Sequence, residues 1–123
     1  MKPLTKKAAK RAIRWYQKRM RLRDWRIRVK IHDDPPGWWD KAEASLSGGM
    51  KPTASQFRAT VWISNRRCLA DKQRPLETLF HECEHIRTCR DGMERWSRSG
   101  ERKQFSHNCV AAVLADLYRK EKR

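Results

Sequence analysis

Two hydrophobic spacings alternate along the chain. Across residues 5–22, Leu4, Ala8, Ala12, Trp15, Tyr16 and Met20 recur at roughly helical spacing, and most of the positions between them are Lys or Arg. That pattern predicts an amphipathic helix with Thr5 as its N-cap and Asp24 marking the turn out of it. Residues 25–31 switch to strict alternation of apolar and polar positions, which predicts a half-buried strand. Residues 33–37, with Pro35, Pro36 and Gly37, end it as a loop that carries on through Trp38 and Trp39. Residues 41–47 alternate weakly through Ala42, Ala44 and Leu46 and suggest a second strand. Gly48, Gly49 and Pro52 then mark a turn. Residues 57–63 are rich in aromatic and β-branched side chains and predict a third strand, closed by residues 64–67. Helical spacing returns at Pro75, a residue suited to a first helical turn. This helix is expected to run to about Arg90 and to stop at Asp91 and Gly92. Residues 92–103 are polar and glycine-containing, a loop, and a last helix is expected over 103–119.

The order α-β-β-β-α-α implies an α+β fold: an N-terminal helix, a three-stranded, mainly antiparallel sheet, then two helices. With 123 residues the chain is read as one domain, 1–123, able to bury a modest core without disulfides. The six Trp suggest a core or groove built on large aromatics.

Charge changes this picture. Thirty Lys and Arg against fourteen Asp and Glu give a net charge of +16, a balance that favours a polyanionic partner. The basic residues are concentrated: residues 1–30 hold thirteen Lys or Arg and a single acid, Asp24. Lys6, Lys7, Lys10, Arg11, Arg14, Lys18, Arg19 and Arg21 put this charge on the first helix and its exit, a candidate surface for non-specific nucleic acid. No apolar segment follows the charged start, and no run of 18 apolar residues occurs. The expectation is a cytoplasmic protein that neither enters nor crosses a membrane. Cys68, Cys83, Cys89 and Cys109 form no CxxC pair, so a four-cysteine zinc ribbon is not expected. Most of them are expected to be reduced core fillers.

The chemistry is concentrated in His81-Glu82-Cys83-Glu84-His85. On a helix, residues four apart lie on one face, so His81 and His85 can offer two imidazole nitrogens to one Zn²⁺. Glu82 lies to the side, where it can act on water. This chain's own His and Glu frequencies give a chance match of about 1 in 100. The motif also lies in an amphipathic helix whose apolar stripe is Leu76, Leu79, Phe80, Cys83 and Ile86. A catalytic zinc takes three protein ligands. His107 is the candidate third: it is in phase with Val110, Leu114 and Leu117 on the last helix. Glu101 and Glu94 are its rivals, and Cys109 a weaker one. His32 falls on the polar face of the first strand. Tyr118 and an Arg after the third strand are the remaining donors for a developing oxyanion.

The HECEH helix, the strands before it and the helix after it resemble the small zincin metallopeptidases. The element order is most similar to the minigluzincin and phage metallopeptidase-like groups, and also to the SprT-like and ImmA/IrrE-like groups. The resemblance implies a zinc-dependent peptidase in which His81 and His85 bind zinc and Glu82 is the general base. It also implies a peptide or protein substrate paired to an edge strand, for which residues 57–63 are the candidate by position. Gluzincins draw their third ligand, a glutamate, from the following helix, where this chain offers His107. A third histidine is closer to SprT-like usage, although the further zinc-binding cysteines of that group have no counterpart here. The alternative is a basic nucleic-acid-binding module whose zinc site is structural or vestigial.

Overall fold

The computed structural model describes residues 2–33, 48–53, 56–90 and 100–121, and gives backbone alone for 49–53, 89–90 and 100–108. The chain forms α1 (Lys6–Arg19), β1 (Arg26–Ile31), β2 (Gly48–Thr53), β3 (Arg58–Ile63), α2 (Asn65–Ala70), α3 (Pro75–Arg90) and α4 (Gly100–Glu121). Thr5 caps α1, its hydroxyl accepting from the Ala8 N–H at 3.1 Å. The helix ends at Arg19 rather than in the run to residue 22, and Arg21 turns the chain in the left-handed region at φ 55°. Its buried stripe is Ala9, Ala12, Ile13 and Tyr16, one step round from the expected one.

The sheet corrects the expected topology. It is mixed rather than mainly antiparallel. The strand order is β1-β3-β2, with β1 parallel to β3 and β2 antiparallel to it. Alternation reports which face of a strand is buried but says nothing about its direction or its neighbour. β3 is therefore central, paired on both sides from Arg58 to Ile63, and residues 57–63 cannot be a substrate-pairing edge. The edges are β1 and β2.

The second strand is also corrected. β2 occupies Gly48–Thr53, the segment expected to turn, while residues 41–47 lie outside the described residues. The glycine there is required by packing rather than by a turn. A Cβ on Gly48 would lie 2.8 Å from the Trp62 carbonyl oxygen, 2.9 Å from Thr78 Cγ2 and 3.1 Å from Ile63 Cδ1. Pro52 is tolerated because an edge strand has an N–H that needs no ladder partner. We expect Gly48→Ala to destabilise the fold by about 1–3 kcal/mol, because a strand carbonyl and the start of α3 must both give way. Thermal unfolding checks this, and an unchanged midpoint would mean that β2 does not press on β3 and α3 here.

Residues 64–67, expected as a closing loop, begin the short helix α2. The Ser64 hydroxyl accepts from the Arg67 N–H at 3.2 Å and caps it. Asn65 then ties the start of the chain down. Its side chain accepts from the Leu4 N–H at 2.8 Å and donates to the Leu4 carbonyl at 2.9 Å.

α3 sits at the centre. One core joins Tyr16 of α1, Val29 of β1, Val61 and Ile63 of β3, Cys68 of α2, Phe80 and Ile86 of α3, and Leu114 and Tyr118 of α4. Four aromatic rings clamp the helices together. Phe80 lies 5.6 Å from Trp15, 5.9 Å from Tyr16 and 5.9 Å from Tyr118, and Trp15 lies 5.2 Å from Tyr118. Such pairs contribute about 0.5–1.5 kcal/mol each beyond their burial. Glu121 at the end of α4 accepts from the Trp15 indole and pairs with Arg19, closing α4 onto α1. Among the described residues, no helix is long and apolar enough to cross a membrane.

Candidate metal centre

α3 runs from Pro75 to Arg90, as its spacing predicts, and so carries the whole HECEH segment on unbroken helix. The rise of one turn stacks residues i and i+4. The His81 and His85 rings accordingly meet at 4.8 Å between centroids, with their Nε2 atoms 3.1 Å apart. Both histidines are half-buried. Two imidazole nitrogens this close either share a proton or share a cation. A tetrahedral zinc with Zn–N bonds of about 2.0–2.1 Å holds two nitrogens roughly 3.3 Å apart, so the pair fits such an ion with little adjustment.

Glu82, which follows His81 directly on α3, is buried, at 7% exposure. Among the described residues no third His, Cys, Asp or Glu completes a group of three around it. His107 and Glu101 are on the backbone of α4, but their side chains lie outside the described residues, as does Glu94 altogether. The buried stripe of α4 is Ala111, Leu114, Ala115 and Tyr118, rotated from the expected Val110, Leu114 and Leu117. Position 107 stays in phase with it, four residues before Ala111 and seven before Leu114.

The other expected candidates separate cleanly. His32 is exposed just past the end of β1, its backbone N–H donating to the Ile63 carbonyl at 3.1 Å. Tyr118 belongs to the aromatic clamp and is 7% exposed, so it is a core residue rather than an oxyanion donor. Cys68 and Cys83 are buried and Cys109 is exposed. Burial pushes the Cys83 thiol far above its ordinary pKa, and the nearby Glu82 and Glu84 push it further. The thiol in the middle of the motif is thus held protonated and does not compete as a ligand or nucleophile.

Sequence reasoning missed Glu84. Its place two residues on from Glu82, on another side of the helix, predicts a position where Glu84→Gln is close to silent, yet it is 1% exposed. Tyr16 donates its hydroxyl proton to Glu84 Oε2 across the α1–α3 interface. Arg87 grips the same carboxylate with two N–H groups, at 2.8 and 3.1 Å. Burial above all, and then the neighbouring Cys83 and Glu84, push the Tyr16 phenol well above its ordinary pKa. It therefore stays a donor at every physiological pH. The signal that was available is the i,i+3 Glu84–Arg87 spacing, combined with a tyrosine on the stripe of the first helix.

The chain matches no protein-family model, no curated protein and no solved structure. The arrangement therefore has to be understood from its own chemistry.

Proposed function

We propose that the chain is a zinc-dependent hydrolase of peptide bonds, with His81 and His85 as metal ligands and Glu82 as general base. The observation that carries this reading is the 3.1 Å convergence of the two Nε2 atoms on the helix that also carries the buried Glu82. A zinc ion held by His81 and His85 would supply a Lewis acid and would lower the pKa of water to about 7. Glu82 accepts the proton of the attacking water at its carboxylate and returns it to the leaving amine. Tyr16 and Arg87, holding Glu84, together with the aromatic clamp, keep α3 rigid, so that both histidines stay in register. His107 is the third ligand on this reading, with Glu101 and Glu94 as rivals, because α4 packs along α3.

Zinc content of the purified protein tests the assignment. We expect about one equivalent of zinc, lost in His81→Ala and in His85→Ala, with a lower unfolding midpoint after chelation because metal binding is coupled to folding. His107→Ala should lose it too. Full occupancy in His107→Ala with loss in Glu101→Ala or Glu94→Ala would move the third ligand. Full occupancy in both His81→Ala and His85→Ala would end the proposal.

The second reading, a basic nucleic-acid-binding module with a structural or vestigial zinc, is favoured by one observation. Lys6, Lys7, Lys10, Arg11, Arg14, Lys18, Arg19 and Arg21 are all exposed, so the apolar stripe of α1 turns its whole basic face outward. Hydrolysis that depends on Glu82 separates the two readings, since a structural site needs no carboxylate there.

A further inference from the structure

At the end of the sheet where α1 hands over to β1, three local rules are broken together. Phe57, entering β3, has φ 51°, a left-handed conformation strained for a bulky side chain. It is also the one exposed aromatic among the described residues, at 47%. Beside it, Arg26 and Arg58 are direct register partners across β1 and β3, and like charges placed opposite one another in a sheet are destabilising. Among the described residues no carboxylate pairs with Arg26, Arg28, Lys30 or Arg58.

The ring is nevertheless firmly held. The Arg26 N–H donates to the Phe57 carbonyl at 2.8 Å, and Phe57 meets the buried Trp25 edge-on, with centroids 5.9 Å apart. Just upstream in the chain, Lys18, Arg21, Arg23 and Asp24 line a shallow concavity at the end of α1. An exposed aromatic ring held on Trp25, directly before Arg58 in the chain and next to its register partner Arg26, is a cost that folding alone does not explain. Breaches of local consistency of this kind concentrate at functional sites.

We propose that Phe57, Arg26 and Arg58 form a binding site for single-stranded nucleic acid, independent of the zinc reading. One base stacks on the Phe57 ring while Arg26 and Arg58 neutralise the adjoining phosphates. Arg28 and the concavity at Lys18 and Arg23 extend the track in either direction. Stacking on an aromatic ring along a basic path is how single strands are bound without sequence preference. A duplex keeps its bases stacked on each other and offers the ring nothing. An acidic protein would use the arginines without the ring, and a lipid surface would call for a wider apolar patch than a single phenyl group.

The test is fluorescence anisotropy with a labelled oligothymidylate of about 15 nucleotides, the matching duplex, and vesicles containing phosphatidylserine. We expect the single strand to bind more tightly than the duplex, with affinity falling steeply between roughly 50 and 200 mM salt. Phe57→Gly should weaken single-strand binding about tenfold or more with the salt slope unchanged. Arg58→Gln should reduce that slope by about one. Phe57→Trp should retain binding and show quenched emission in the complex. Phe57→Gly is the decisive variant because glycine adopts φ 51° without strain. Its unfolding midpoint should not fall, so lost binding is not lost folding. No binding at low salt overturns the proposal. So does binding that Phe57→Gly leaves intact, or a Phe57-dependent preference for duplex or for vesicles.

Discussion

Glu82→Gln is expected to lower peptide hydrolysis by about 10²–10⁴-fold, the usual contribution of a positioned general base, while zinc content and the unfolding midpoint stay at wild-type values. The substitution keeps the shape of the side chain. Glu82 is 7% exposed on the central helix, and the amide fills the same space without disturbing the Phe80 clamp or the His81–His85 pair. What the amide lacks is an oxygen that can accept and hold a proton. Substrate binding should survive, so the loss should appear in kcat with KM little changed. The nearest carboxylate cannot take over the task, because Glu84 is engaged by Tyr16 and Arg87 on another side of α3. The assay uses a mixed library of unfolded peptides, with zinc measured on the same samples. Equal activity of wild type and Glu82→Gln would remove Glu82 from the mechanism. Inactivity of a fully zinc-loaded wild type would turn the weight to the binding-module reading.

The parts of this site that were legible in the sequence are those set by local rules. The i,i+4 histidines, Pro75 at the start of α3 and Thr5 capping α1 each follow from the geometry of a single helix. The alternation in residues 25–31 and the β-branched run in 57–63 likewise mark β1 and β3 from within. What was not legible depends on partners distant in sequence. Nothing in residues 25–63 records that β1 runs parallel to β3, and a glycine pair in a strand looks the same as one in a turn until Trp62 and Thr78 are seen pressing on it. The burial of α3 on nearly all sides has the same origin. A helix with glutamates and histidines around its girth reads as one with an exposed face. Here α1, α4 and the sheet all pack on it, and Glu84 and Thr88 are absorbed into the interior with hydrogen-bond partners of their own. Whether His107 shares the site belongs to this second kind of question, because it turns on how α4 meets α3 rather than on the spacing within α4.

Glu84 carries the largest expected stability effect. Glu84→Ala is expected to cost about 3–5 kcal/mol, because it removes the buried carboxylate that Tyr16 and Arg87 share, leaving both donors without it and a cavity in its place. At this chain length that is a fall of roughly 10–20 °C in the unfolding midpoint. The carboxylate is 1% exposed and the facing Arg87 side chain 28% exposed, so water cannot readily replace the lost partner. Tyr16 suffers as well: it is fully buried, and its hydroxyl would lose its acceptor, costing about 1–3 kcal/mol of that total. Glu84→Gln should fall between wild type and Ala, since its amide oxygen still accepts one hydrogen bond but no longer balances the guanidinium. This departs from the expectation for an exposed helix glutamate, for which substitution would be close to silent. Tyr16→Phe removes the donor instead and leaves the Arg87 pair, so it should cost less than Glu84→Ala. The double variant Tyr16→Phe with Glu84→Gln should cost less than the sum of the two, because both act on one network. Chemical denaturation in the presence of a chelator isolates these effects from any contribution of bound zinc. If Glu84→Ala stays within about 0.5 kcal/mol of wild type, as ordinary surface substitutions do, the Tyr16–Glu84–Arg87 network does not hold α1 against α3.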